Sequence, residues 1–524
     1  MNVLLINPHT YWKSEFNIMN VRTRNYSDNL SIRYLASNLE KNGHSVDIID
    51  GHFEELELDE ILDRIKTTPN YDLYAISSTE GIIEETFAVA HTIKEKDKNA
   101  IVCIGGYAAT FLGEKILLDN MDVDMLLIGE GEYTIVDLVD NLHDRERWKK
   151  VKGLFFRDKN GQLVQNVFGN RIDNLDKLPW PKRADKYKYG KANMLASRGC
   201  YGICQYCSIT EFHRKNKEAC FRIRNAMEVV DEMEHVHKSC GVHYFDFVDD
   251  SFMTICKTKE EWLQQFCDEL EKRDLSITWG IQSRAVDIDY DILRRLHRVG
   301  LRAVSMGIEN NVPRVINLLK TGSNDKIHRY AIESLQKLGI DYYIEMILIE
   351  PTTCLEEVLE NLEFLESIKY CDSHIQQPIT VSTRLKLYIG TPVVDIYKGV
   401  VPLKYTKYHI AYEYQFPETA VLWECIIRWQ KISKLTNAMH ISHPHFMASK
   451  KGMLGLALRA VKLQKEYLRF DMDVYKSIVY YLLSHRNATV DEVMKNLNKQ
   501  IITAGDYLAR YKEIFSLLEE SQGK

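Results

Sequence analysis

Three cysteines stand closer together than any others in the chain: Cys200, Cys204 and Cys207, in the run SRGCYGICQYCS. This C-x3-C-x2-C spacing puts three thiolates on one short loop. They are enough to hold three irons of a [4Fe–4S] cluster and leave the fourth iron open. A four-cysteine zinc or cluster site would close that position, but no second close cysteine pair occurs. A C-x2-C zinc knuckle borrowing distant ligands is the competing reading. The other eight of the 11 cysteines are scattered and read as small core hydrophobes. An odd count without an export signal argues against a disulfide scaffold. A second ligand-rich run, His440, His443 and His445 in HISHPHF, lacks a helix-face spacing and an evident fourth ligand.

The elements that must position the triplet are legible in the apolar pattern. Before it, residues 1–145 alternate short apolar runs (3–6, 45–49, 71–77, 100–104, 124–128) with helical patterns. That pattern implies a doubly wound parallel five-stranded sheet. Ligands of such sheets sit at the carboxyl ends of the strands. Here those ends carry Asn7-Pro8, Ser77-Ser78-Thr79, Gly105-Gly106 and Gly129-Glu130-Gly131-Glu132, small residues that admit a bulky ligand or simply make tight turns. Residues 146–190, ending in LPWPKRADKYKYG, read as a linker.

A second βα series follows over 191–395, with strands expected at 192–197, 243–248, 276–282, 302–308, 341–349 and 374–381. Six such units suggest a partial (β/α)6 barrel with its chemistry at the strand carboxyl ends, where the triplet falls. Residues 396–524 read as mostly helical. Within them 450–470 is a basic amphipathic helix, expected to dock as a cover rather than lie on a membrane.

The 524 residues, 45% hydrophobic and 27% charged, describe a globular chain of several domains. A net charge of −6 gives no field for nucleic acid. No run is long and apolar enough to span a membrane, and the start MNVLLINPHT lacks a basic leader. A cytoplasmic location is expected.

On these residues the chain resembles the radical SAM superfamily, and more narrowly its cobalamin-dependent branch, over about 1–385. Besides the triplet, FVDDSF (247–252), WGIQSRA (279–285), MGIEN (306–310), IEMILIEP (344–351) and the LPWP hinge (178–181) match in order. The resemblance implies three cofactors: a [4Fe–4S] cluster on Cys200, Cys204 and Cys207, S-adenosylmethionine on its open iron, and cobalamin on the N-terminal sheet. Carried over by position, Tyr206 sits by the adenine, Asp249 meets the methionyl amine, and Arg284 and Glu309 meet the carboxylate and ribose. Salt bridging inside the barrel is the competing reading for the last three. Ser77, Thr79, Gly105, Gly106, Gly129 and Glu130, in AISSTEG, IGGYAAT and IGEGE, are the implied cradle of the cobalamin nucleotide tail.

Two departures stand out. The D-x-H-x-x-G motif that places a histidine on cobalt in methionine-synthase-type domains is missing. Asp50-Gly51-His52 begins like it, but Glu55 stands where glycine is needed. No histidine on cobalt is expected from that motif; the loop 7–12 is left to face the lower side of the cofactor, with His9 in it not expected to be a ligand. Tyr107-Ala108 also replaces the Pro-His of many relatives.

The resemblance implies a 5′-deoxyadenosyl radical that takes hydrogen from an unactivated carbon, followed by methyl transfer to a natural-product, peptide or lipid substrate. Cyclisation or rearrangement without net methylation is the alternative, and a non-catalytic sensor a third reading. A methylthiotransferase is disfavoured, since Cys103 is the only cysteine before 200. A reducing partner such as flavodoxin or ferredoxin is implied. Substrate contacts are expected from His374, Gln376, Gln377 and Tyr388.

Overall fold

The computed structural model describes residues 1–8, 28–169, 171–187, 189–214, 221–253, 257–319, 322–372, 383–433 and 454–520. By its contacts the chain divides into two compact units. Of the described residues, one takes those up to Tyr201 together with Cys207–Trp279; the other takes Gly202–Tyr206 and those from Gly280 onward.

In the first unit the interior strand β1 (Asn2–Asn7) buries Val3, Leu4, Leu5 and Ile6 almost completely, the continuous apolar run of a strand covered on both faces. Around it lie β2 (Ser45–Asp50), β3 (Leu73–Ser77), β4 (Val102–Gly105) and β5 (Met125–Leu127), all parallel. The helix Leu30–Lys41 packs its apolar face on this sheet, and Asn29 caps its first amides from Ser31 and Ile32.

The five expected strands are present, but the sheet has seven. β6 (Leu154–Arg157) and β7 (Leu163–Gln165) add antiparallel, giving the order β2-β1-β3-β4-β5-β6-β7. Part of the segment read as linker is therefore sheet. Its Leu154 and Phe156 are buried in the core, and a tight turn at Gly161 joins the two strands.

The first unit continues with β8 (Lys191–Met194), the short pair β9 (Ser197–Arg198) and β10 (Arg222–Ile223), and β11 (Tyr244–Phe247). β8 and β11 pair in parallel, and Thr278 N–H to His243 O extends the ladder to the start of β12 (Thr278–Arg284). Phe247, Phe252, Phe266 and Trp279 form an aromatic core beneath them.

The second unit holds the rest of β12, then β13 (Leu301–Glu309) and β14 (Asp341–Met346), which pair in parallel. The sixth expected strand lies outside the described residues. A single parallel bridge between Ile349 and Arg384 follows it. The C-terminal part is helical as expected (Pro417–Ser433, Leu454–Ser484, Val490–Asn496, Asn498–Glu520), except for the antiparallel pair β15 (Leu403–Tyr405) and β16 (Ile410–Tyr412). The described part of the amphipathic helix buries Leu463, Tyr467 and Leu468, with Tyr511 and Ile514 beside them, which fits a docked helix. On the same helix Asp471 is fully buried and accepts from the Trp429 indole at 2.6 Å and the Tyr467 hydroxyl at 3.3 Å. Among the described residues no helix is long and apolar enough to cross a membrane.

Candidate functional site

In the first unit three strand ends are laced together. Ser77 pairs with Gly105, the Ser78 amide donates to Gly105 O at 3.0 Å, and the Ala108 amide donates to Ser78 O at 3.1 Å. Gly106 has φ +91°, and a Cβ there would stand 2.7 Å from the Ser78 carbonyl, so only glycine fits. The Thr110 hydroxyl donates to Gly106 O at 2.9 Å and accepts the Gly129 amide at 3.1 Å, tying the end of β4 to the end of β5. Thr79 lies exposed at the rim. The sequence reading named Ser78 only as part of a strand end and did not single out Thr110, which lies within the IGGYAAT motif.

Of the residues expected around the nucleotide tail, Glu130 is placed differently. Its carboxylate accepts from Arg198 at 3.0 Å, Arg222 at 2.7 Å and the Ile172 amide at 2.9 Å. Burial alone would raise its pKa, but the two guanidiniums and that amide outweigh it and bring it down to about 2. A carboxylate with both oxygens committed to the polypeptide has little left for a ligand. Asp50 is also spent internally, accepting from Asn7 at 2.9 Å and from the Asn29 amide at 3.0 Å. Glu55 holds φ +60°, the left-handed backbone that the missing glycine would favour.

The cysteine loop is gripped at its entry by two adjacent acids. Asp249, fully buried, accepts the Ala196 amide at 3.0 Å and the Ser197 hydroxyl at 2.5 Å. Asp250 accepts the Gly199 amide at 2.7 Å and faces His213 at 3.5 Å. Asp249, expected to meet the methionyl amine, thus has both oxygens engaged in holding the strand before the triplet. Burial raises its pKa against the pull of Lys259, whose ammonium lies over the Phe252 and Trp262 rings.

Cys200 is buried, and Cys204 and Cys207 are half-buried. Burial pushes the Cys207 thiol up, while the Thr210 and Ile209 amides of the helix Ser208–Arg214 favour its thiolate. Tyr107, just past β4, packs on Phe212 of that helix at 4.9 Å between ring centroids. Its hydroxyl is held protonated by burial and by the charge of Asp250 and Cys207, against Arg198. Among the described residues no three His, Cys, Asp or Glu side chains converge on one point. A cluster does not require that, because each thiolate takes a different iron. Three thiols on one short loop are the donor set that three irons of a cluster would take. The glycine-lined strand ends fit a bulky ligand lying against backbone.

In the second unit the segment Gly202–Tyr206 is pinned by Gln205, whose amide donates to Leu319 O at 3.1 Å and whose carbonyl accepts from Val393 at 2.9 Å. Tyr206 packs on the apolar cluster of Val312, Leu319, Leu387 and Val393. Arg284 forks onto Asp287 at 2.6 and 2.7 Å, so its guanidinium is already oriented. Glu309 is buried at φ +65°, where the β13–β14 register shifts between Gly307 and Glu309. Such strain in a non-glycine residue concentrates at functional positions. Glu350, which the sequence did not single out, is fully buried and accepts from Arg314 at 2.7 Å and Tyr397 at 2.6 Å. Tyr388 is half-buried. His9, His374, Gln376, Gln377, His440, His443 and His445 lie outside the described residues.

The chain matches the B12 binding domain family over residues 17–139 and the Radical SAM superfamily over 194–365. An uncharacterized methyltransferase of Pyrococcus horikoshii is 28% identical over 68% of this chain and 78% of its own length. The anaerobic magnesium-protoporphyrin IX monomethyl ester cyclase of Rubrivivax gelatinosus is 28% identical over 59% of this chain, which spans only 56% of that enzyme. The solved structure of OxsB, a cobalamin-dependent S-adenosylmethionine radical enzyme with aqua-cobalamin and S-adenosylmethionine bound, follows the fold over all of this chain and 80% of its own, with a TM-score of 0.72 at 16% identity. The chain thus joins a B12-binding domain to a radical SAM domain in that order and shares the fold of OxsB, a cobalamin-dependent radical SAM enzyme, along its whole length.

Proposed function

We propose that this enzyme methylates an unactivated carbon of a natural-product, peptide or lipid substrate. Its cofactors are a [4Fe–4S] cluster, S-adenosylmethionine and cobalamin. When bound, they supply a hydrogen-abstracting 5′-deoxyadenosyl radical and the methyl group to be transferred. The reading gives Cys200, Cys204 and Cys207 to the cluster, and Tyr206, Arg284 and Glu309 to S-adenosylmethionine. Ser77, Thr79, Gly105, Gly106 and Gly129 line the cobalamin cradle. Asp249 acts through Ala196 and Ser197, and Glu130 through its arginines, rather than by touching a cofactor. A flavodoxin or ferredoxin as electron donor and a cytoplasmic location complete the reading.

The observation that supports it most is the packing of Tyr107 on Phe212. It brings the carboxyl end of a cobalamin-type strand against the helix that follows Cys207, within one compact unit. The chain's own residues then do three things. The Ile209 and Thr210 amides favour a thiolate at Cys207. Asp250 fixes the Gly199 backbone that delivers Cys200. The Tyr107 and Phe212 rings hold the end of β4 against the helix after Cys207.

The test is anaerobic reconstitution with iron, sulfide and hydroxocobalamin, followed by reductant and S-adenosylmethionine. 5′-Deoxyadenosine and S-adenosylhomocysteine formed together, both dependent on cobalamin, are expected. Cys204→Ala should lose the brown cluster absorbance and all cleavage of S-adenosylmethionine; retained cleavage would overturn the cluster assignment. The similarity to the cyclase favours one second reading, a cyclisation or rearrangement. It predicts 5′-deoxyadenosine alone.

A further inference from the structure

The contacts around the cysteine loop close into a ring. Arg198 immediately precedes Gly199 and spans both acids of the β5 end, reaching Glu130 at 3.0 Å and Glu132 at 2.5 Å. The Gly199 amide meets Asp250 at 2.7 Å, and Asp250 faces His213 Nε2 at 3.5 Å. His213 Nδ1 lies 3.4 Å from an Arg222 Nη, and Arg222 returns to Glu130 at 2.7 Å. His213 thus stands between the two, its Nδ1 beside Arg222 and its Nε2 beside Asp250. Every charged side chain in the ring is at most 18% exposed.

Charges withdrawn from water in this way add little net stability, because desolvation consumes most of the attraction. What they provide is fixed geometry. The planar fork of Arg198 bridges residues 130 and 132 across Gly131, just after the left-handed Gly129. A shift of the β5 end must therefore move Arg198, and with it the backbone that carries Cys200.

We propose that Glu130, Glu132, Arg198 and Arg222 are positioning residues that couple the cobalamin cradle at the β5 end to the geometry of the cysteine loop. Occupancy of either site then favours the other. The inference rests on cobalamin binding at the N-terminal sheet and iron at the triplet.

Coupling of this kind is reciprocal and can be read as binding alone. The full-length protein, with and without its reconstituted cluster, would be titrated with hydroxocobalamin by equilibrium dialysis. The cluster-loaded form should bind at least about fivefold more tightly. Glu132→Gln, which keeps the shape of the side chain and removes its charge, should bring the two affinities together. Arg198→Lys, which replaces the fork with a point charge, should do the same. Equal affinities in the wild type, or a ratio preserved in both variants, would overturn the coupling while leaving the cofactor assignments standing. No hydroxocobalamin bound by either form would overturn the cobalamin assignment and the coupling with it.

Discussion

Glu130 in the first unit and Asp471 in the second are both carboxylates withdrawn from water. Burial pushes each upward, yet Glu130 is brought down to about 2 and Asp471 is pushed up to about 7. The difference lies in the partners. Glu130 meets two guanidiniums and a backbone amide, whereas Asp471 meets the Trp429 indole and the Tyr467 hydroxyl, neutral donors that only partly offset desolvation. Near the cysteine loop the protein keeps charge and orders it. In the helical region it tolerates a buried acid that is half protonated near neutral pH.

The strongest way to break this comparison is to remove a cation from the first site. Arg198→Met leaves Glu132 and part of Glu130 buried without partners and should cost about 3–5 kcal/mol, read from urea unfolding. A loss below about 1 kcal/mol would mean that water reaches these acids.

The second test uses the opposite signs of the two shifts. Asp471 has its native pKa raised, so the native state holds the proton more tightly than the unfolded chain. The stability this gives is complete below about pH 4 and disappears as pH rises to about 7, a swing of up to about 4 kcal/mol. Asp471→Asn should therefore unfold with less dependence on pH, coming nearest to wild type below about pH 4 and exceeding it increasingly toward pH 8. Glu130, with its native pKa lowered, contributes above about pH 4.5 and fails as pH falls toward 2. A wild-type and Asp471→Asn difference that does not change with pH would erase the contrast.

Gly106→Ala touches neither acid. It forces a Cβ toward the Ser78 carbonyl at positive φ and should cost about 1–3 kcal/mol together with cobalamin retention. Its cost should not vary between pH 5 and 8, which sharpens the comparison by showing a strain that does not titrate. The smallest effect is expected of Trp429→Phe. Loss of the indole donor should raise the Asp471 midpoint by about one pH unit, as a net hydrogen bond of about 1 kcal/mol implies. A midpoint that stays put would leave burial as the whole cause.

Much of this could be read without coordinates. Period-two and near-continuous apolar runs marked β1 to β5 within a residue or two, and the triplet's spacing declared its chemistry. What sequence could not supply was pairing at a distance. Arg198 and Arg222 lie 68 and 92 residues from Glu130, so a carboxylate in a glycine-rich turn looked like a ligand. Asp471 sits in a helical run rich in charge and gave no sign of burial, because its partner Trp429 lies 42 residues away on another helix. β6 and β7 were missed because strands of four and three residues, flanked by Lys, Asp and Gly, carry too little periodicity to stand out from a linker.

Those two strands have a consequence for self-association. A five-stranded parallel sheet would leave β5, with buried Met125, Leu126 and Leu127, as a bare apolar edge open to a strand from another molecule. The β6–β7 hairpin takes that edge. It moves the border of the sheet outward to β7, three residues of which only Leu163 and Val164 are apolar, flanked by Gln162 and Asn166. Deleting the hairpin would expose a template for aggregation.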